Sequence, residues 1–474
     1  MTVTDFGRGM PTTGDGGDAA LGVNPPEIQR KVPFAMRDSR FVPKERYYSR
    51  EFFELEKEHL WPHAWQMAAR EEELPNPGDY VEYEIAGRSI LLIRQREGSV
   101  KALHNACRHR ATELAKGVGR LPGGQIVCPF HGWRWNLDGS SSFVFGQSAF
   151  DPACMKAEDL RLRECLVDTW GGMVWINMDL DARPLLEALS PVADLLDGVG
   201  VGNMRVKWWK QTILNANWKM AQEAFFEGYH VMQTHPQLNQ GTTVEEAELK
   251  SAAVEYTTFR NGHARFQAGA PSQGKSPYNE VRAGSAGERF LEAGRLLVQG
   301  QDAMTLEQDI RIFEGLRNKA GVDNPDFPKL AIAALYEYAA GAGIPMAPMS
   351  AYTRLWGGDI FMFPNFLMLP MYGNCLSYRI RPYNDDPERC LFDVWSLTTY
   401  PAGQEPGRAE LLGVFDKDDT EHWGLIPRQD FSNIERQQRG LHSWGFTESR
   451  LSSKFEMSIS NMHEELDRVI ARHS

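Results

Sequence analysis

The chain has 474 residues, a formal charge of −12 at pH 7, 42% hydrophobic residues and 24% charged residues. That length supports two or three domains with their own cores, and the acidic balance excludes a general nucleic-acid binder, which needs a basic face. Six cysteines are too few for a disulfide framework, and no apolar run nears the ~18 residues of a membrane helix, so a reducing cytoplasm is the expected setting.

Residues 1–40 begin rich in Gly, Pro, Asp and Thr, without periodicity or a signal-like apolar stretch, and are expected to form a flexible arm. Residues 41–64 carry a short amphipathic helix, "SREFFELEKEHLWP", with Ser49 as its cap and Pro62 as its stop. From Gly78 the pattern changes to period two: Val81, Tyr83 and Ile85 alternate with polar residues. Asp138-Gly139 reads as a hairpin turn and "DTWGGMVWINM" as a closing strand, so residues 65–182 are expected to fold as a small all-β domain.

Residues 183–474 are mixed. "NWKMAQEAFFEGYHVMQTHP" reads as a helix broken at Pro236, and residues 240–285 as a long loop near the working site. Helical segments over 285–340 precede the strands "GDIFMFPNFLMLPMYGNCLSYRIRPY" and "CLFDVWSLTTYP", and a helical tail starts near Arg428. This order predicts an α+β domain, an antiparallel sheet with helices packed on one face.

The chemistry begins at "CRHR … CPFHGW". Cys107, His109, Cys128 and His131 form two Cys-His pairs. Structural Zn²⁺ takes such ligands, but common zinc fingers group Cys with Cys and His with His. Alternation suits two irons bridged by sulfide, one held by both thiolates and the other by both imidazoles, which is the Rieske [2Fe–2S] arrangement. Cys154, Cys165, Cys375 and Cys390 are expected to be buried thiols. Around the pairs, Lys101, Arg108, Arg110, Lys116, Arg120 and Arg134 face only Glu113 and Asp138. They form either a solvated surface or a docking patch for an acidic partner.

A second constellation follows. His230 and His235 lie five apart, off one helical face unless Pro236 lets the second swing round, while Glu223, Glu227 and His230 share a face. Two histidines and a carboxylate make the facial triad of non-haem Fe(II) oxygenases. The Asp418-Asp419 pair in "GVFDKDDTEHW" offers the carboxylate; on its own, such a pair is a solvated turn or a helix cap.

With the Rieske pairs, "NWK", "EGYHVMQTH", "FPNFLML", "RP" and "GVFDKDD" in place, residues 45–440 resemble the catalytic α subunit of a Rieske non-haem iron aromatic-ring-hydroxylating oxygenase. The resemblance implies a helix-grip catalytic domain over 183–474, with residues 41–64 packed against it. It implies one [2Fe–2S] cluster on Cys107, His109, Cys128 and His131, and one mononuclear Fe(II) on His230, His235 and Asp419, the second Asp of the pair. Glu227 falls at the family's bridging carboxylate, which relays an electron from the cluster of a neighbouring subunit through His131 in a homotrimer, with or without a β subunit. Glu223 departs from the Asn often found there, which weakens the case for dioxygenation of a plain arene.

No dinucleotide or flavin fingerprint stands in the required context, so electrons from NAD(P)H are expected through a separate reductase or ferredoxin. Phe225, Phe226, Val231, Met232 and Phe415, with Glu223, are pocket candidates, and core packing accounts for the apolar ones equally well. The Met-rich "FMFPNFLMLPMY" leans the expectation towards cis-dihydroxylation of an aromatic or polycyclic hydrophobe. The alternatives are a Rieske monooxygenase or demethylase, a non-catalytic electron carrier, and a zinc-stabilised ligand binder.

Overall fold

The structure is a computed structural model that describes residues 24–238, 243–268, 284–355 and 358–474. Period-two alternation yields the expected antiparallel sheet in the first half. Its seven strands run in the order Gln66–Arg70, Met173–Asn177, Glu164–Trp170, Val100–His104, Arg88–Arg94, Asp79–Ile85, Val118–Arg120. A three-stranded sheet, Gln125–Val127, Arg134–Asn136 and Ser141–Phe143, lies beside it. Gly139, at φ +82°, makes the turn between the last two, and a Cβ there would sit 3.0 Å from Leu103. A side chain at this position meets both a backbone penalty and a clash.

The second half is built on another seven-stranded antiparallel sheet, ordered Met204–Leu214, Asp386–Thr399, Asn374–Tyr383, Phe366–Met371, Asp359–Met362, Ala264–Ala268, Val254–Thr258. The last two strands and the helix Val244–Ala252 replace part of the loop expected over 240–285; residues 239–242 and 269–283 lie outside the described residues. Helices Ala286–Gly300, Glu307–Ala320 and Phe327–Ala342 occupy the expected helical stretch, and Leu425–Leu441 and Met457–His473 form the tail. No helix among the described residues is long and apolar enough to cross a membrane.

Two arginines join the halves. Arg379, on Asn374–Tyr383, donates to the carbonyls of Met67 (3.2 Å) and Ala68 (2.6 Å), and Arg381 donates to that of Glu84 (2.8 Å). Asp393 on the neighbouring strand accepts from both, at 3.0 and 3.4 Å. Burial alone would raise the Asp393 carboxyl, but the two guanidiniums hold it below the usual carboxylate range.

Ser49 caps the helix Arg50–Leu55 as expected, accepting from the Phe52 N–H at 3.3 Å, and a π-helical turn, Glu56–Leu60, extends it. Trp61 packs on Trp218 at 4.9 Å between ring centroids. Residues 24–40, expected within the free arm, are instead docked. Asn24 donates to the Glu464 carbonyl at 3.0 Å, the Met36 N–H to Asp467 at 2.8 Å, and Val32 and Ala35 are buried. Cys154, expected to be buried, is exposed in the turn Pro152–Cys154, whereas Cys165, Cys375 and Cys390 are buried.

Candidate functional site

The two Cys-His pairs meet at one end of the first domain. Cys107 and His109 follow the strand Val100–His104, and Cys128 and His131 form the tip between Gln125–Val127 and Arg134–Asn136. The Nδ1 atoms of His109 and His131 face each other at 3.2 Å, about the separation that two ~2.1 Å bonds to one metal require. Trp133 stacks on His109 at 4.9 Å and fixes its ring. The Cys128 thiol is shifted down: burial opposes this, but the backbone N–H groups of His131 and Phe130 favour the thiolate. Burial pushes the Cys107 thiol up. Phe130 projects beside His131 with 57% of its surface exposed, and Arg110 lies over its ring at 5.3 Å.

The second constellation depends on a break in the expected helix. Asn217 caps Trp218–Glu223 by accepting from the Lys219 N–H at 3.0 Å, and the chain then turns through Gly228 before the short helix Val231–Thr234. Gly228 N–H donates to the Tyr256 hydroxyl at 3.1 Å, pinning the turn. His230 and His235 thus stand at the two ends of Val231–Thr234, with ring centroids 5.4 Å apart.

Their carboxylate partner is Asp430, not Asp419. Asp430 Oδ1 lies 3.0 Å from His235 Nε2 and 3.8 Å from His230 Nε2, and this buried oxygen has no hydrogen-bond donor. Asp419 is drawn away by its own turn: it accepts from the Glu421 N–H at 2.8 Å, the His422 N–H at 3.1 Å and His422 Nδ1 at 2.9 Å. Its neighbour Asp418 pairs with Lys417 at the surface. The sequence does carry a signal for Asp430. It sits with Ile426, Ile434 and Leu441 on the buried face of Leu425–Leu441, a charge on an apolar stripe.

The donor set fits a metal. Glu227 Oε1 binds His230 Nδ1 at 2.8 Å while Oε2 accepts the His230 N–H at 2.9 Å, and Gln429 Oε1 binds His235 Nδ1 at 2.9 Å. Each ring's Nδ1 is held from behind, so both Nε2 atoms can present lone pairs beside the orphaned Asp430 oxygen, the usual arrangement around a ligated imidazole. Although burial would lower His230, the Glu227 contact and Asp430 raise it above the ordinary imidazole value.

His230 and Asp430 open on a cavity of about 630 Å³ whose wall includes Glu223, Glu227, Glu456, Arg436 and Arg450. Glu223 therefore reaches the site. Phe225 and Phe226 do not line this cavity: they pack on Tyr378 at 4.6 Å and Phe361 at 4.1 Å. Phe415 stacks on His422 at 3.7 Å beside Asp419, and Val231 and Met232 are half-buried on the short helix.

Glu223 is held by Tyr47 Oη, 3.0 Å from each carboxyl oxygen, and by His463 Nε2 at 2.8 Å. Arg46 Nε donates to His463 Nδ1 at 3.0 Å, which leaves the ring hydrogen on Nε2, pointing at Glu223. Burial pushes the Glu223 carboxyl up to about 8 and His463 well below its usual value. Sequence reading missed Tyr47, His463 and Gln429, which join the site from distant segments without any motif.

A family model described as the ring-hydroxylating alpha subunit catalytic domain matches residues 200–472, and one described as the Rieske [2Fe-2S] domain matches residues 64–146. The chain belongs to the ring-hydroxylating α-subunit family. This Rieske oxygenase α subunit therefore combines the domain that holds a [2Fe–2S] cluster with the catalytic domain of mononuclear-iron oxygenases.

It is 30% identical over 213 residues to the carnitine monooxygenase oxygenase subunit of Escherichia coli (strain K12), covering 43% of this chain and 54% of that protein. It is 26% identical over 242 residues to the 2-aminobenzenesulfonate 2,3-dioxygenase subunit alpha of an Alcaligenes species, covering 50% and 59%. The α subunit thus spans about half the length of the curated relatives it matches. Among solved structures, a quaternary ammonium Rieske monooxygenase matches with a TM-score of 0.61 at 20% identity, covering 91% of this chain and 96% of that one. Naphthalene 1,2-dioxygenase with indole bound matches with a TM-score of 0.60 at 18% identity, covering 93% and 94%. Both likenesses are of fold.

Proposed function

We propose that the α subunit is the terminal oxygenase of a monooxygenase system acting on a small polar substrate that carries an alkylated nitrogen, which it cleaves at a C–N bond. The observation that carries this reading is the wall of the cavity beside His230, His235 and Asp430. Glu223, Glu227 and Glu456 stand there with Arg436 and Arg450 among the apolar Met220, Ile434, Phe446 and Ile459, a mixed lining that offers a charged or zwitterionic alkylated guest both an apolar seat and charged partners, the latter of no use to the polycyclic hydrophobe expected from the Met-rich strand. The names of two relatives, carnitine monooxygenase and the glycine betaine monooxygenase of Pseudomonas aeruginosa, agree in direction.

Cys107, His109, Cys128 and His131 would hold the cluster, and His230, His235 and Asp430 the mononuclear iron; bound there, the iron supplies O₂ activation. Glu227 fixes the His230 ring and would bridge to His131 of a neighbouring copy in a homotrimer, while a separate reductase or ferredoxin feeds the cluster. Residues 65–182 and 183–474 would be the two working domains. Glu223 keeps a proton at neutral pH on the cavity wall, so that wall is less negative than its carboxyl count suggests. Hydroxylation of a C–H beside nitrogen takes one atom of O₂, two electrons and two protons, the other oxygen leaving as water. The hydroxylated carbon becomes a carbonyl as the C–N bond breaks, and the bonding pair departs with the amine.

The test is a single turnover of the pre-reduced holoenzyme with carnitine, glycine betaine, 2-aminobenzenesulfonate or naphthalene. Free amine and carbonyl product matching the O₂ consumed is expected from the alkylammonium compounds. A cis-dihydrodiol from an arene, with the alkylammonium compounds untouched, would overturn the reading.

A further inference from the structure

The cavity beside His230 and Asp430 has a direction. Asp430, Asn433, Ile434, Gln437 and Leu441, all on the helix Leu425–Leu441, line it. Spacings of three and four residues put them on one face, so this wall follows the helix for about 16 Å at ~1.5 Å per residue. Asp430 marks the metal end, and Arg436 enters the wall about 9 Å further along the axis. Arg450 joins it from the strand Glu448–Arg450, where pairing with Phe41–Pro43 sets Arg450 opposite Phe41.

The acids of the wall are already engaged. Tyr47 and His463 hold Glu223, His230 holds Glu227, and Glu456 Oε2 accepts the Ser452 N–H at 2.7 Å. Burial pushes the Glu456 carboxyl up and the charge of Glu227 adds to this, so these two acids repel each other and gain from a cation between them. The arginines are in the opposite state. Arg436 and Arg450 are exposed, which sets them at the mouth, and neither makes a hydrogen bond or ion pair with any described residue. Nearby charges are committed elsewhere: Arg40, whose carbonyl accepts the Leu451 N–H at 2.8 Å, pairs with Asp38 at 2.6 Å, and Glu435 accepts the Asn215 N–H at 3.0 Å.

We infer that Arg436 and Arg450 form an anion subsite that takes a carboxylate at the end of the substrate remote from the nitrogen to be cleaved. The substrate class is then an N-alkylated amino acid zwitterion whose carboxylate stands several bonds from the ammonium, not a simple alkylamine or amino alcohol. This deepens the C–N cleavage reading above and rests on it. Guanidinium groups match a carboxylate with paired, charge-assisted hydrogen bonds. With the carboxylate held at the mouth, the ammonium is directed to Glu227 and Glu456, and the carbon beside it towards His230 and Asp430.

Equilibrium binding to the iron-replete holoenzyme tests the subsite, read by calorimetry with γ-butyrobetaine and with its methyl ester, which lacks the anionic charge. Wild type is expected to bind the acid about tenfold more tightly than the ester, the scale of hydrogen bonds to a charged group. Arg436→Gln and Arg450→Gln should each weaken the acid about tenfold and leave the ester within about twofold. Both side chains are exposed, so the variants keep their fold and iron content, which circular dichroism and metal analysis check. In turnover of the acid the loss should fall on KM rather than kcat. Equal affinity for acid and ester, no saturable binding of the acid, or variants that lose both ligands alike would each overturn the subsite. Amine release separates this from the reading beneath it. Arginine-dependent binding without free trimethylamine would keep the subsite and sink C–N cleavage, and trimethylamine released from acid and ester bound equally well would do the reverse.

Discussion

At residue scale the decisive contrast is between Asp430 and Asp419. One buried carboxylate oxygen without a donor, beside two Nε2 atoms, can gain a ligand bond; a carboxylate already accepting from two backbone N–H groups and a histidine cannot without breaking its turn. Asp430→Ala should therefore lose the mononuclear iron while the cluster's visible spectrum persists. Asp419→Ala should keep both and lose only a turn cap, about 0.5–2 kcal/mol; metal analysis and denaturant titration separate the two outcomes. Glu227→Ala should leave both centres occupied yet nearly abolish turnover, because the positioning of His230 and the proposed route for the electron both go; unchanged single-turnover rates would sink the bridge assignment.

Glu223 gives a pH prediction whose sign is fixed by burial. Folded, it keeps its proton to about pH 8, against an ordinary value of 4.5, so the folded state binds more protons between those limits and stability falls as pH rises through them. Its partner His463 acts oppositely: it stays neutral when folded, and stability falls as pH drops below its ordinary 6.5. From pH 6.5 to 8 the Glu223 slope is therefore the one this pair contributes. Glu223→Gln should flatten the decline of the denaturant midpoint over that window relative to wild type.

At the scale of elements, local signals were legible and tertiary ones were not. The alternation at Val81, Tyr83 and Ile85, the Ser49 cap and the Cys-His spacing are written in adjacent residues, so the sequence announces the strand, the helix start and the cluster loops. The ligand helix misleads because "NWKMAQEAFFEGYHVMQTH" has continuous helical character, while the break at Gly228 is set by Tyr256 from a strand that the sequence had hidden in a loop. Asp430 was missed for a related reason: the conspicuous "DD" drew the assignment, while a single Asp on an apolar stripe discloses its role only once the stripe has met His235.

The helix Trp218–Glu223 also depends on a buried charge pair with no local signature. Lys219 Nζ meets Glu56 of the π-helical turn, and both side chains are wholly buried. Removing one partner strands the other, so Lys219→Met should cost about 3–5 kcal/mol, whereas Lys219→Met with Glu56→Leu should recover most of it. Equilibrium unfolding of the single and double variants measures that coupling directly.

At the scale of the whole molecule, an acidic chain presents a basic rim around its cluster. Two of the six cations are already paired within the chain, Arg120 with Asp79 at 2.7 Å and Lys101 with Glu164 at 3.0 Å. Arg110, Lys116 and Arg134 remain exposed, and Arg110 lies against Phe130 beside His131. The exposed cations therefore concentrate where an electron must enter, while the net charge of −12 repels acidic proteins from the rest of the surface. Such an arrangement would orient an acidic donor before contact, and steering of this kind raises association rates by about 10- to 1,000-fold at low salt. Because the Debye length shrinks to about 8 Å at physiological ionic strength, the advantage must fade as salt is added. Arg110→Ser with Arg134→Ser should lower the second-order rate of cluster reduction by an acidic ferredoxin about tenfold in dilute buffer. The wild-type and variant rates should converge near 1 M salt. Stopped-flow reduction across a salt series reads both limits, and a variant that is equally slow at every ionic strength would mean that these arginines shape the cluster loops rather than guide the donor.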